Sequence, residues 1–93
     1  DASSVPLLEG AVDAWHAGAS SDGMKRNAEY LTPLVDWGAA SPVVKALLAD
    51  PQTSGGLLVA VPAGRAAEYL SRVEGAAEIG EVTERERFAI VVG

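Results

Sequence analysis

The sequence predicts one small α/β domain, an α+β fold of two layers in which helices flank a mixed sheet. Two observations predict this class. Short unbroken apolar runs, typical of buried strands, alternate with stretches whose apolar residues recur at helical spacing. The chain has 93 residues, which is enough for one domain and one core, so we treat residues 1–93 as a single unit.

The first third of the chain predicts a strand and then helical structure. Residues 5–8 (VPLL) predict a short strand or an extended entry, which Gly10 ends. Residues 11–19 predict a short helix with one apolar stripe. The following stretch stays open between one or two helical turns over residues 25–31 and irregular structure, because Pro33 interrupts any longer helix.

The middle of the chain gives the strongest helix signals. Ser41 and Pro42 predict a helix start, because a hydroxyl cap precedes a proline in the first turn. Pro51 stops that helix, since the residue before proline avoids the α conformation. Residues 57–61 (LLVAV) predict a strand buried on both faces, and residues 63–73 predict the next amphipathic helix.

Two further strands are predicted near the carboxyl end of the sequence. Residues 77–83 alternate weakly and indicate an exposed strand, and residues 88–93 (FAIVVG) indicate an apolar one. The strand over 57–61, the helix after it and a later strand could form one right-handed crossover.

The charge balance excludes several classes of partner. The chain has seven basic and thirteen acidic residues, which gives a net charge of −6. It therefore lacks the basic surface that binding to nucleic acids or anionic membranes requires. It has no cysteine for a disulfide or a thiolate metal site. No apolar run approaches the length of a membrane span, and we expect a cytoplasmic protein. Hydrophobic residues make up 48% of the chain, and many are small, which predicts burial against a partner subunit or a missing part of the chain.

The sequence DPQTSGG over residues 50–56 is the first candidate site. A phosphate-binding loop is disfavoured, because the glycines leave a helix to enter a strand and no lysine follows them. The segment could instead be a structural turn. Asp50 and Ser54 are good turn formers, and Gly55 and Gly56 would supply positive φ or a close backbone approach. Asp50 ends a helix, where the dipole disfavours a negative charge. Its carboxylate could therefore anchor the loop or face a Mg²⁺-bound ligand.

Arg26 and Asn27 form the second candidate site. They are expected in a glycine-flanked loop, where a guanidinium beside an amide could reach an anion. A surface salt bridge of Arg26 is the alternative.

At residues 50–56 the sequence resembles a hallmark of the selenide, water dikinase (selenophosphate synthetase) family. The segments VPLLEGA, GMKRNAEYLTPLVDW and IGEVTERERFAIVV follow the order and spacing of that family, so the similarity covers essentially the whole chain. The resemblance implies the C-terminal domain of an enzyme related to aminoimidazole ribonucleotide synthetase, with two α/β domains in each subunit.

The resemblance also implies an activity. Family members phosphorylate selenide with ATP and Mg²⁺, and the products are selenophosphate, AMP and phosphate. The subunits pair as homodimers, so the expected partners here are the missing N-terminal domain and a second subunit. The residues expected to face the cleft between the domains are Asp50, Thr53, Ser54, Gly55, Gly56, Arg26 and Asn27.

The chain departs from the family in what it lacks. The nucleophilic cysteine or selenocysteine, a nearby lysine and the main Mg²⁺-binding aspartates belong to segments upstream. We therefore expect no catalytic residue, no metal site and no bound cofactor in these 93 residues alone, and no activity of the piece by itself. The usual Gly-Gly-Thr before the Arg-Asn pair reads Asp22-Gly23-Met24 here.

Two alternatives remain open from the sequence. The chain could be the C-terminal domain of another ATP-dependent enzyme of the same superfamily, such as a thiamine monophosphate kinase-type protein. It could also be a non-catalytic dimerisation or binding module.

Overall fold

Helices carry most of the regular structure in the computed structural model, which describes all 93 residues. The helices are α1 (Ala11–His16), α2 (Asp22–Leu31), α3 (Pro42–Leu48) and α4 (Ala66–Arg72). Single 3₁₀ turns lie at Ala2–Ser4 and Ala63–Arg65. Every predicted helix is therefore confirmed, and the open stretch before Pro33 is helical.

Capping side chains explain where α2 and α3 begin. The Ser21 hydroxyl accepts a hydrogen bond from the Met24 amide at 3.0 Å. The Ser41 hydroxyl likewise accepts from the Val44 amide, at 3.4 Å, and Pro42 occupies the first turn of α3. Each serine satisfies one of the amides that a helix start leaves without an internal partner.

The sheet has two short parallel strands, β1 (Val35–Asp36) and β2 (Ile90–Val91), with Val35 opposite Ile90 and Asp36 opposite Val91. Helices α3 and α4 lie in the connection between them. Helices α1 and α2 both pack against α3. The buried residues are Val35 in β1 and Ala49 directly after α3.

The helices and the small parallel sheet agree with an α+β class, but the predicted strands are mostly wrong. The sheet is parallel rather than mixed. Residues 57–61 and 77–83 form no strand, and the crossover predicted from 57–61 is absent. Residues 5–8 form no strand either, and of the two structures predicted there the extended entry agrees with the extended backbone at Val5. Only the last predicted strand is confirmed, in shortened form.

The reason is that a strand needs a partner. No backbone amide or carbonyl of residues 51–61 takes part in a hydrogen bond within the chain. An apolar run alone predicts burial, but only pairing makes it a strand.

None of the helices combines the length and apolar character needed to cross a bilayer.

Candidate functional site

The two candidate segments meet where α3 ends. The Asn27 side-chain amide, on α2, donates a 2.8 Å hydrogen bond to the Ala49 carbonyl, 22 residues further along the chain. Gly23 lies against the Pro51 ring so closely that a β-carbon at Gly23 would sit 2.7 Å from Pro51 Cγ. The loop over residues 50–56 therefore starts directly on the first turns of α2.

Arg26 and Asn27 lie within α2, so their predicted loop is wrong. Asn27 is half-buried, and its amide satisfies a carbonyl that the end of α3 leaves without a helical partner. Arg26 is exposed and its guanidinium makes neither a hydrogen bond nor an ion pair within the chain, so the alternative salt bridge is also wrong. Its guanidinium is free to contact an external anion.

Asp50 is half-buried and its carboxylate makes no hydrogen bond and no ion pair. It does not bond the amides of the loop, so loop anchoring does not explain it. It follows the Ala49 cap of α3, where the helix dipole disfavours its charge. The structure therefore leaves this carboxylate without a compensating contact inside the chain.

The rest of the loop faces solvent. Thr53, Ser54, Gly55 and Gly56 are all exposed, and the two hydroxyls make no hydrogen bond within the chain. Neither glycine has a positive φ, which corrects one of the two predicted roles. The other role stays a prediction, because the atoms nearest to a β-carbon at Gly55 belong to the flexible Gln52 side chain and none lies within 4 Å at Gly56.

A cleft of about 370 Å³ lies between α1, the start of α2 and the end of α3. Trp15, Met24 and Leu47 contribute apolar walls, and Ser21 and Asp50 contribute polar atoms. Sequence reasoning missed Trp15 and Met24 as cleft residues. The spacing of Trp15 on an apolar stripe indicated core instead, because periodicity cannot separate a core from a cleft wall.

Side chains of α4 and of the residues just before it line a second, smaller groove. The Glu68 carboxylate accepts a hydrogen bond from Arg65 Nε at 3.2 Å and forms an ion pair with Arg72 Nη2 at 2.9 Å. Because the two guanidiniums already share this carboxylate and both arginine side chains are largely exposed, we assign the groove an ordinary surface ion network. No group of three or more His, Asp or Glu side chains gathers anywhere in the chain as a metal site would require.

Residues 10–93 match the family described as AIR synthase related protein, C-terminal domain. The chain is also similar to selenide, water dikinases. It is 39% identical to the protein of that name from Clostridium botulinum (strain Eklund 17B / Type B) over 94 residues, covering 96% of this chain and 27% of that protein. It is 37% identical to that of Caldanaerobacter subterraneus subsp. tengcongensis over 97 residues, covering 99% of this chain and 28% of that protein.

A third relative, the selenide, water dikinase of Aliarcobacter butzleri, is 35% identical over 94 residues, covering 95% of this chain and 27% of the relative. The chain thus spans little more than a quarter of the length of the curated relatives it matches. No solved structure matches it.

Proposed function

The chain belongs to the family of AIR synthase related C-terminal domains, and from this premise we propose that it is the C-terminal domain of an ATP-dependent selenide, water dikinase. In the proposed reaction, selenide, ATP and water give selenophosphate, AMP and phosphate. The observation that carries the proposal is the similarity to proteins of that name over 95% or more of the chain.

The loop over residues 50–56 is the part of the domain that would face the reaction. It leaves α3 at the contact with α2, and over residues 51–56 its hydroxyls and peptide groups are unpaired within the chain, in residues that are exposed. Thr53 and Ser54 can offer hydrogen-bond donors, and Arg26 can offer a positive charge, to phosphate oxygens of a nucleotide held by another domain. The residues of this chain therefore position and cover the substrate.

ATP and Mg²⁺ would be held mainly by sequence outside these 93 residues. Within the chain, Asp50 offers a single carboxylate, and no group of three or more acidic or histidine side chains gathers anywhere. Mg²⁺ demands octahedral coordination, so one side chain cannot hold it without phosphates and waters supplied from elsewhere. The donor set here does not fit a resident metal, so no chemical step is assigned to one. The partners in this proposal are the remaining domain of the same polypeptide and a second subunit, in a cytoplasmic homodimer.

The full-length protein tests the proposal. Incubated with ATP, Mg²⁺ and selenide, it should release AMP and phosphate and give the ³¹P resonance of selenophosphate. Without selenide, AMP release should fall to background. ATP hydrolysis that is indifferent to selenide, or that yields ADP, would favour another ATP-dependent enzyme of the superfamily. The absence of any nucleotide turnover would favour a non-catalytic module.

A matched pair of variants tests the part played by the loop. The double change Thr53→Val and Ser54→Ala in the full-length protein should lower AMP release at least tenfold by removing two hydroxyl donors from exposed positions. The change Thr83→Val removes a hydroxyl from another exposed segment and should leave the rate unchanged. Equal rates for all three proteins would place the loop away from the substrate.

A further inference from the structure

The cleft between α1, α2 and α3 combines apolar walls with one charged residue. Trp15, Met24 and Leu47 line it, and all three residues are half-buried. Asp50 is the only charged residue among the nine that line the cleft. A ligand that complements this lining therefore has an apolar body and a group that can satisfy a carboxylate.

The sign of the charge on that group follows from the surroundings of Asp50. The residue is half-buried, and its carboxylate makes no hydrogen bond and no ion pair within the chain. It follows the end of α3, where the helix dipole adds negative potential. The whole chain carries a net charge of −6. These charges together favour a cation in the cleft over a neutral or anionic group.

The hydrogen-bonding groups of the cleft indicate what kind of cation fits. Ser20 and Ser21 also line it, and the Ser21 hydroxyl, which accepts from the Met24 amide at 3.0 Å, keeps a second lone pair. A primary ammonium group has three N–H donors, and a carboxylate together with serine hydroxyls can accept all of them. An aromatic body would in turn pack against the Trp15 indole and the Met24 thioether.

We propose that this cleft binds a small organic cation that consists of an aromatic body and one primary ammonium group. The ammonium group pairs with the Asp50 carboxylate, and the aromatic body packs against Trp15 and Met24. Residues 51–56, which the proposed function places at the substrate, do not line the cleft. Binding requires neither nucleotide nor selenide, so the inference goes beyond the proposed function.

Calorimetric titration of the full-length protein with phenethylammonium, without ATP or selenide, tests the proposal. We expect saturable binding of one cation per chain, and phenethyl alcohol, a neutral molecule of nearly the same shape, should bind at least tenfold more weakly. Asp50→Asn should weaken binding of the cation at least tenfold. Asp13→Asn is the control and should leave the affinity unchanged, because Asp13 is an exposed carboxylate of α1 that does not line the cleft.

Three outcomes of the titration would overturn the proposal. Equal affinities for the cation and the alcohol would mean that the cleft selects only for apolar shape. An unchanged affinity in the Asp50 variant would place the cation elsewhere. Absence of binding by either molecule would mean that other parts of the full-length protein fill the cleft.

Fluorine NMR of the full-length protein labelled with fluorotryptophan gives an independent measurement of where the cation binds. The resonance that Trp15→Phe removes should shift as phenethylammonium is added. The resonance that Trp37→Phe removes is the control and should stay in place, because Trp37 does not line the cleft. A shift of the Trp37 resonance alone, or of neither, would contradict the proposed site. Neither readout uses catalysis, so a protein without selenide-dependent activity still tests binding.

Discussion

The side-chain amide of Asn27 donates a 2.8 Å hydrogen bond to the main-chain carbonyl of Ala49. This bond ties the middle of α2 to the end of α3, and it reaches one of the chain's two buried residues. Asn27 thus has a structural task at the point where the loop over residues 50–56 begins. The guanidinium of its neighbour Arg26 has no partner in the chain and is available to bind a group outside it.

The first prediction is that Asn27→Ala loosens α3 and Arg26→Ala does not. Removing the amide leaves the Ala49 carbonyl unsatisfied in a half-buried site, at a cost of about 1–3 kcal/mol. Backbone amides of α3 should then exchange with deuterium roughly tenfold faster or more in the full-length protein, since ~1.4 kcal/mol corresponds to a factor of ten. Unchanged exchange in the Asn27 variant, measured on peptides from α3, would show that the bond contributes nothing.

The second prediction concerns the contact between Gly23 and Pro51. Replacing a helical glycine by alanine ordinarily stabilises a helix by up to about 1 kcal/mol. Here the new methyl group would meet the rigid proline ring at 2.7 Å, and such overpacking costs about 1–3 kcal/mol. We therefore expect Gly23→Ala to lower the free energy of unfolding, measured by urea titration followed by circular dichroism.

Gly64→Ala is the matched control for that substitution. No atom lies within 4 Å of a β-carbon placed at Gly64. Its stability should stay within about 0.5 kcal/mol of the unaltered protein, as is usual for surface changes. A gain in stability from Gly23→Ala would mean that α2 and the Pro51 turn are not in close contact.

Local signals predicted the helices well. Ser41 and Pro42 marked the start of α3 to the residue, because a cap and a first-turn proline act on neighbouring backbone groups. Pro33 and Pro51 marked the ends of α2 and α3 to within a few residues for the same reason. Each of these effects is contained within one turn of chain.

The strands could not be predicted in this way. Val35 pairs with Ile90, although more than half of the chain lies between them in sequence. The residues around each strand carry no signal that identifies its partner strand. The run over residues 57–61 has the composition of a strand but finds no partner among these 93 residues. For the site, the sequence named Asp50 and Asn27 in two separate candidate segments, and it could not foresee that Asn27 would be engaged by Ala49 at the end of α3.

The last prediction separates stability from function at Asp50. Its carboxylate follows the end of α3, where the helix dipole opposes it, and it has no compensating partner in the chain. Asp50→Asn should therefore raise the free energy of unfolding by about 0.3–1 kcal/mol. Under the proposed function, it should also lower the selenide-dependent AMP release of the full-length protein at least tenfold. Asp13 is the control, because it lies in the first turn of α1, where the dipole favours a negative charge. Asp13→Asn should reduce stability by a similar amount and leave activity unchanged. Loss of stability in the Asp50 variant would identify its carboxylate as a structural group. That result would contradict the proposed role of Asp50 in facing the substrate.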